Sequence, residues 1–146
     1  NTKVKAMVSF TKGEGFGRPL LEFTTTGKPV IAPYYSGPAD FLHPEYIAQL
    51  PGGLTPIHPS AQNDFLIGDA KWFTPDYKYA SKLFKEIVKH YNKFLAKSRK
   101  HIKHSNDNFS SQAISNVYQE LFKYMDSEIG NVPVHQEIKL PTLRKV

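Results

Sequence analysis

The sequence predicts an α/β fold built on a parallel sheet, and three features predict it. Residues 4–10, Val-Lys-Ala-Met-Val-Ser-Phe, form a short apolar run that ends in Thr11-Lys12-Gly13, the pattern of a buried strand entering a loop. Residues 18–26 suit a short helix: Pro19 sits in its first turn, where a missing N–H costs nothing, and Gly27 stands where a C-cap is expected. Pro29-Val30-Ile31-Ala32 is a second apolar strand, closed by Pro33. Strand, helix and strand at this spacing make a βαβ unit, with the strands at 4–10 and 28–33 parallel neighbours and the crossover right-handed. The weak helix formers Thr24-Thr25-Thr26 require packing to hold the last turn.

Beyond this unit the pattern loosens. Residues 34–70 are rich in Pro and Gly, and Tyr46–Leu50 and Leu54–Ile57 flank Pro51-Gly52-Gly53 as a hairpin or as two separate short strands. Trp72 and Phe73 end a strand, and Thr74 is the expected N-cap of a helix over 76–98. There Tyr79, Leu83, Ile87, Tyr91 and Phe94 make an inward stripe, while Lys78, Lys82, Lys85, Lys89 and Lys93 face water. A polar break at 104–108 precedes a last helix from about 110 to 125, marked by Ile114, Val117, Tyr118, Leu121, Phe122 and Met125.

Composition is that of an ordinary globular protein, with 40% hydrophobic and 22% charged residues, which argues against global disorder. No apolar run approaches the ~20 residues that cross a bilayer. Cysteine is absent, which excludes disulfides and thiolate metal sites. The start, Asn1-Thr2-Lys3, resembles neither a signal peptide nor a natural N-terminus, so the chain is expected to be a piece of a longer one. The net charge of +6 is uneven: residues 71–105 hold ten Lys/Arg against Asp76 and Glu86, a balance of +8, which leaves −2 elsewhere. A solvated helix face is the preferred explanation; contact with a polyanion or an anionic membrane surface is the alternative.

The chemically informative stretch is Glu14-Gly15-Phe16-Gly17-Arg18-Pro19-Leu20-Leu21-Glu22. A Gly-Phe-Gly loop opening a helix presents unpaired backbone N–H groups, which suit a diphosphate. Glu22, one turn into the helix, can accept two hydrogen bonds from a vicinal diol. Glu14 follows a strand of the parallel sheet, at the edge where α/β folds bind ligands.

This stretch, followed in register by Thr-Gly-Lys-Pro-Val-Ile-Ala and then Ser-Gly, resembles the donor-site signature of a large family of retaining glycosyltransferases, the group 1 family. That family includes sucrose-phosphate synthases, bacterial lipopolysaccharide glucosyltransferases and mannosyltransferases. The resemblance runs from about Val4 to Met125 and is strongest over 8–42. It implies the C-terminal, donor-binding domain of a GT-B fold, Rossmann-like, represented by the second half of its sheet and flanking helices over 1–126. Residues 127–146 are then an extended tail. It further implies transfer from a nucleotide-diphosphate sugar with retention of configuration and no required metal or other cofactor. Glu14 would bind the donor sugar at the catalytic centre and Glu22 the ribose. The loop from Gly15 and Phe16 to the amides of Gly17, Arg18 and Leu20 would hold the diphosphate. The implied partners are the nucleotide sugar, an unidentified acceptor and a preceding N-terminal domain. Separately, the lack of cysteine fits a cytoplasmic location, and the charge of 71–105 leaves a peripheral contact to membrane or polyanion as an option.

The sequence departs from the pattern where the family is Ala-rich, at Phe23-Thr24-Thr25-Thr26, and in a longer 42–70 segment. Lys12 and Arg18 are expected as surface residues, and so are His43 and His58 of that segment. His90, His101 and His104 read as part of a solvated basic face, too few and too open for a zinc site. Asp40 follows the second strand as a cap or packing residue. The competing readings are a GT-B-like domain kept for binding or assembly without catalysis, and a basic polyanion-binding module.

Overall fold

The computed structural model describes residues 3–129, and its centre is a three-stranded parallel sheet in the order β1 (Met7–Val8), β2 (Val30–Ala32), β3 (Ala48–Gln49). Met7 lies opposite Val30 and Val8 opposite Ile31, while Ile31 and Ala32 face Ala48 and Gln49 across the other ladder. The strands expected at 4–10 and 28–33 are thus parallel neighbours, each shorter than its apolar run. The helix between them, α1 (Arg18–Thr24), ends in a self-capped turn. Thr24, Thr25 and Thr26 donate their hydroxyls to the carbonyls of Leu21, Glu22 and Phe23 at 2.6–2.7 Å. Acceptors that a helix end leaves unpaired are satisfied in this way, which explains a threonine run that propensity alone disfavours.

Alternation along β2 builds three layers. Val30 and Ala32 point into a core with Leu20 of α1 and with Phe41, Leu42 and Ile47, from the connection between β2 and β3. Ile31 points the other way, to Ala48, Leu50, Ala80 and Ile87. All three β2 residues are buried, as expected of a strand covered on both faces.

A second, two-stranded sheet joins β4 (Gly52–Pro56) to β5 (Lys71–Pro75), antiparallel from Gly52 opposite Pro75 to Pro56 opposite Lys71. The segments on either side of Pro51-Gly52-Gly53 are therefore separate strands in different sheets. Phe73 N–H donates to Lys12 O at 2.9 Å, and the Lys12 ammonium sits 3.4 Å from the centre of the Trp72 ring, tying β5 to the loop after β1.

Helix α2 (Tyr77–Lys89) is capped by Asp76, whose carboxylate accepts from Tyr79 N–H at 2.9 Å, two residues later than the expected Thr74. Its inward stripe is Ala80, Leu83, Phe84 and Ile87; Tyr79 lies one residue off that stripe and is exposed. The expected single helix over 76–98 breaks at His90 (φ −120°, ψ 36°), and α3 (Tyr91–Phe109) continues through the polar stretch at 104–108. The break has a tertiary cause. Ala80 and Ile87 of α2 cover the Ile31 face, whereas α3 reaches Thr24 on the α1 face, so the chain must turn beneath the sheet. Along the way Tyr91 Oη donates to Lys5 O (2.9 Å), Ser98 Oγ to Tyr46 O (3.4 Å), and Ile102 and Arg99 pack on Gly27. Lys5, Gly27 and Tyr46 all shortly precede strands. Helix α3 therefore crosses the edge at which the three strands begin, while the edge at which they end carries the loops after β1 and β2 with the β4–β5 sheet packed against them.

The chain divides into two units, Asn1–Ser110 and Ser111–Val146. In the second, α4 (Ser111–Ile129) extends the helix expected over 110–125 and carries Ile114, Val117, Tyr118, Leu121, Phe122 and Met125 exposed along one stripe. Beyond residue 129 the expected tail lies outside the described residues. Among the described residues no helix is long and apolar enough to cross a membrane.

Ile87 is 4% exposed at the centre of the second core. Ile87→Ala should lower unfolding stability by about 2–5 kcal/mol, read as the shift of a urea midpoint at unchanged slope. An effect below about 1 kcal/mol would show that this core does not hold α2 in place.

Candidate functional site

Two loops meet where β1 and β2 end. Ser36 Oγ accepts the N–H of Glu14 at 3.0 Å, and Gly37 N–H donates back to Glu14 O at 3.1 Å. Gly37 rests so closely on the first loop that a Cβ there would collide with the Gly15 carbonyl and come 2.6 Å from Phe16 Cα. Ser36 adopts φ 53°, ψ −149°, a conformation that costs a non-glycine residue about 1–3 kcal/mol. The hydroxyl that accepts from Glu14 and the packing of Gly37 hold it there. The loops after two adjacent parallel strands are thereby joined, and Glu14 projects from the junction, exposed.

The turn into α1 is made by Gly17 at φ 86°, ψ 43°, in the left-handed region that glycine adopts without strain. A Cβ at Gly17 would also stand 3.0 Å from Pro38 Cγ of the second loop. Phe16 packs its ring on Phe41 at 5.1 Å while remaining partly exposed. Leu20 N–H donates to Gly17 O at 2.9 Å, so that amide is used inside the helix and does not face a ligand. Leu20 itself is a core residue, 3% exposed. Arg18 Nε and Glu22 Oε1 pair at 2.7 Å along the helix surface, with both side chains mostly in solvent. An exposed pair at this spacing is worth about 0.3–0.5 kcal/mol, so a ligand could displace Arg18 from Glu22 at small cost.

The other sequence candidates fall elsewhere. Lys12 is committed to Trp72. Asp40 is exposed in the 3₁₀ turn Gly37–Asp40. His58 caps the 3₁₀ turn Pro59–Ala61, with Nδ1 beside Ser60 N (3.2 Å) and Oγ (2.7 Å). His90 marks the helix break, 3.6 Å from Glu86. Among the described residues no group of three or more His, Cys, Asp or Glu could hold a metal ion.

His101 departs most from expectation. It is buried, 2% exposed, at the seam between α3 and the α1 layer. His43 N–H donates to His101 Nε2 at 3.1 Å, so Nε2 is an acceptor and the ring proton is assigned to Nδ1. Nδ1–H then donates to Ser105 Oγ (2.9 Å), Ser105 to Thr24 Oγ1 (2.6 Å), and Thr24 to Leu21 O (2.6 Å). This relay begins and ends on main chain, so its direction is fixed. The sequence signal was Ser98, His101 and Ser105 at helical spacing on one face, hidden because the helix was expected to end at 98. His43 and His104 stand 5.3–5.4 Å from each other or from His101 in a ring cluster, and Tyr46 stacks on His43 at 4.2 Å.

No family model, curated protein or solved structure matches this chain.

Burial, reinforced by the neighbouring His104 and His43, pushes the His101 pKa down from 6.5 to about 4. The native state therefore binds fewer protons than the unfolded chain between those values. The stabilisation is complete above about pH 6.5 and is lost as pH falls towards 4. Urea midpoints taken across this range should fall with pH, and His101→Asn should flatten the decline. An equal decline in both proteins would place the pH dependence on other groups.

Proposed function

We propose that this chain is the donor-binding domain of a retaining glycosyltransferase, taking a nucleoside-diphosphate sugar at the Glu14–Glu22 loop. The observation that supports this reading best is the junction of the loops after β1 and β2, which fixes Glu14 at the end of adjacent parallel strands. Ligands of open α/β sheets bind at this edge. The order and spacing of Glu14, the glycine turn at Gly17 and Glu22 follow the signature described above.

In this reading Glu14 accepts hydrogen bonds from hydroxyls of the transferred sugar and positions its anomeric carbon. Glu22 releases Arg18 and accepts from both ribose hydroxyls. Arg18, freed and flexible, neutralises part of the diphosphate, and the main-chain N–H groups of Gly17 and Arg18 stabilise the charge that develops as it departs. The acceptor comes from a second domain, whose closure excludes water and aligns the reacting groups. The leaving diphosphate is stabilised by amides and a guanidinium, with no metal step.

Glu22→Gln keeps the shape but removes the charge, so nucleoside-diphosphate affinity should drop by about 1.5–3 kcal/mol in titration calorimetry. Glu14→Gln should leave that affinity unchanged and depress turnover of the intact enzyme. Negligible effects of both changes on binding and on turnover would leave a domain that keeps the fold without the reaction.

A further inference from the structure

Two adjoining cavities open on the side of the sheet away from α1. The first, of about 310 Å³, is an apolar slot lined by Ala6, Ile31, Phe84, Ile87, Val88 and Tyr91, with Lys5 at its margin. The second, of about 450 Å³, shares Val88 and Tyr91 and is completed by Lys89, His90, Asn92 and Lys93. An apolar slot thus leads directly into a cationic bay. Val88, on the wall between them and next to last in α2, is 82% exposed.

Lys89 and Lys93, which line the bay, belong to an ordered run of charge that continues on the outer side of the helices. Lys78, Lys82, Lys85 and Lys89 recur every three or four residues and so share one stripe of α2, and Lys93, Lys97 and Lys100 repeat the spacing on α3. Among the described residues none of these seven lysines takes part in an ion pair. A solvated face needs neither an exposed Val88 nor a slot beside the charges. A nucleic acid would use the lysines and leave the slot idle, since the slot offers a base almost no polar partner. An anionic lipid uses both: its headgroup charge matches Lys89 and Lys93, and its acyl chain matches the slot.

We propose that this face docks on an anionic lipid bilayer, with a lipid headgroup in the bay of Lys89 and Lys93 and one acyl chain in the slot beside Val88. The rest of the lysine stripe adds attraction to the surface potential, which salt screens. This docking is independent of the glycosyltransferase reading.

Co-sedimentation of the intact chain with vesicles tests it, using phosphatidylcholine alone and phosphatidylcholine mixed with phosphatidylserine. Binding is expected only to the mixed vesicles. Lys89→Gln with Lys93→Gln should weaken it roughly thirty-fold, from about fivefold for each lysine near the surface. Val88→Ser, which adds no charge, should weaken it about tenfold through loss of apolar contact. All three positions are exposed, so melting temperatures should stay unchanged and separate lost docking from lost folding. Retention on heparin should fall with the lysine changes and ignore Val88→Ser. The proposal is overturned by absence of binding to mixed vesicles. It is equally overturned if Val88→Ser binds them as tightly as the parent, which would make the stripe a general polyanion surface.

Discussion

Everything in the first unit is arranged around three residues that serve two cores at once. Val30 and Ala32 complete the layer that contains α1 and the β2–β3 connection, and Ile31 completes the layer that contains α2. The same residues carry both ladders of the parallel sheet. A strand with no solvent face tolerates no polar side chain and no change of register, because a shift by one residue would exchange the two cores. The run Val-Ile-Ala, with Pro29 before it and Pro33 after it, meets that constraint in the fewest residues.

From that strand follows a polarity of the whole unit. Its beginning is closed by α3, which runs beneath all three strands and is anchored at Lys5, Gly27 and Tyr46. Its end carries the loops after β1 and β2, with the β4–β5 sheet held against them through Phe73, which donates to Lys12 O and stacks on Tyr35. The stabilising polar machinery and the candidate chemistry therefore sit at opposite ends. The His101 relay secures the closed end with every donor and acceptor matched, while Glu14 remains in solvent at the other and Glu22 lies exposed along α1. Among the described residues no buried side-chain nitrogen or oxygen lacks a partner. Burial cost has been met at the closed end and avoided at the other.

The βαβ unit was legible because its signals are local: apolar runs, a proline in a first turn, a glycine after a last one. The inward stripe of α2 was legible from its period, apart from Tyr79, which sits beside it. What escaped depends on contacts distant in sequence. No proline or glycine announces the break at His90; it arises because two stretches of one apparent helix serve different faces of the sheet. His101 was hidden among lysines, and its partners Thr24 and His43 lie far away in the chain. At the candidate site, Glu14 and the glycine turn were visible as a pattern. The bond from Glu14 to Ser36 spans 22 residues, and no periodicity reports it. The pairing of Arg18 with Glu22 follows from their spacing of four, a simple helical signal overlooked beside the motif.

The close seat of Gly37 on Gly15 and Phe16 bears on how such a domain could diversify. Loops at the open end of an α/β sheet ordinarily vary independently, and new specificities arise from that freedom. Here the first two loops are interlocked, so an insertion or a larger side chain in one must be matched in the other. Paired changes are rare, and the two loops would be inherited as one piece. The freedom to vary then passes to the segment between β4 and β5, residues 57–70, most of which is exposed and bound mainly to itself.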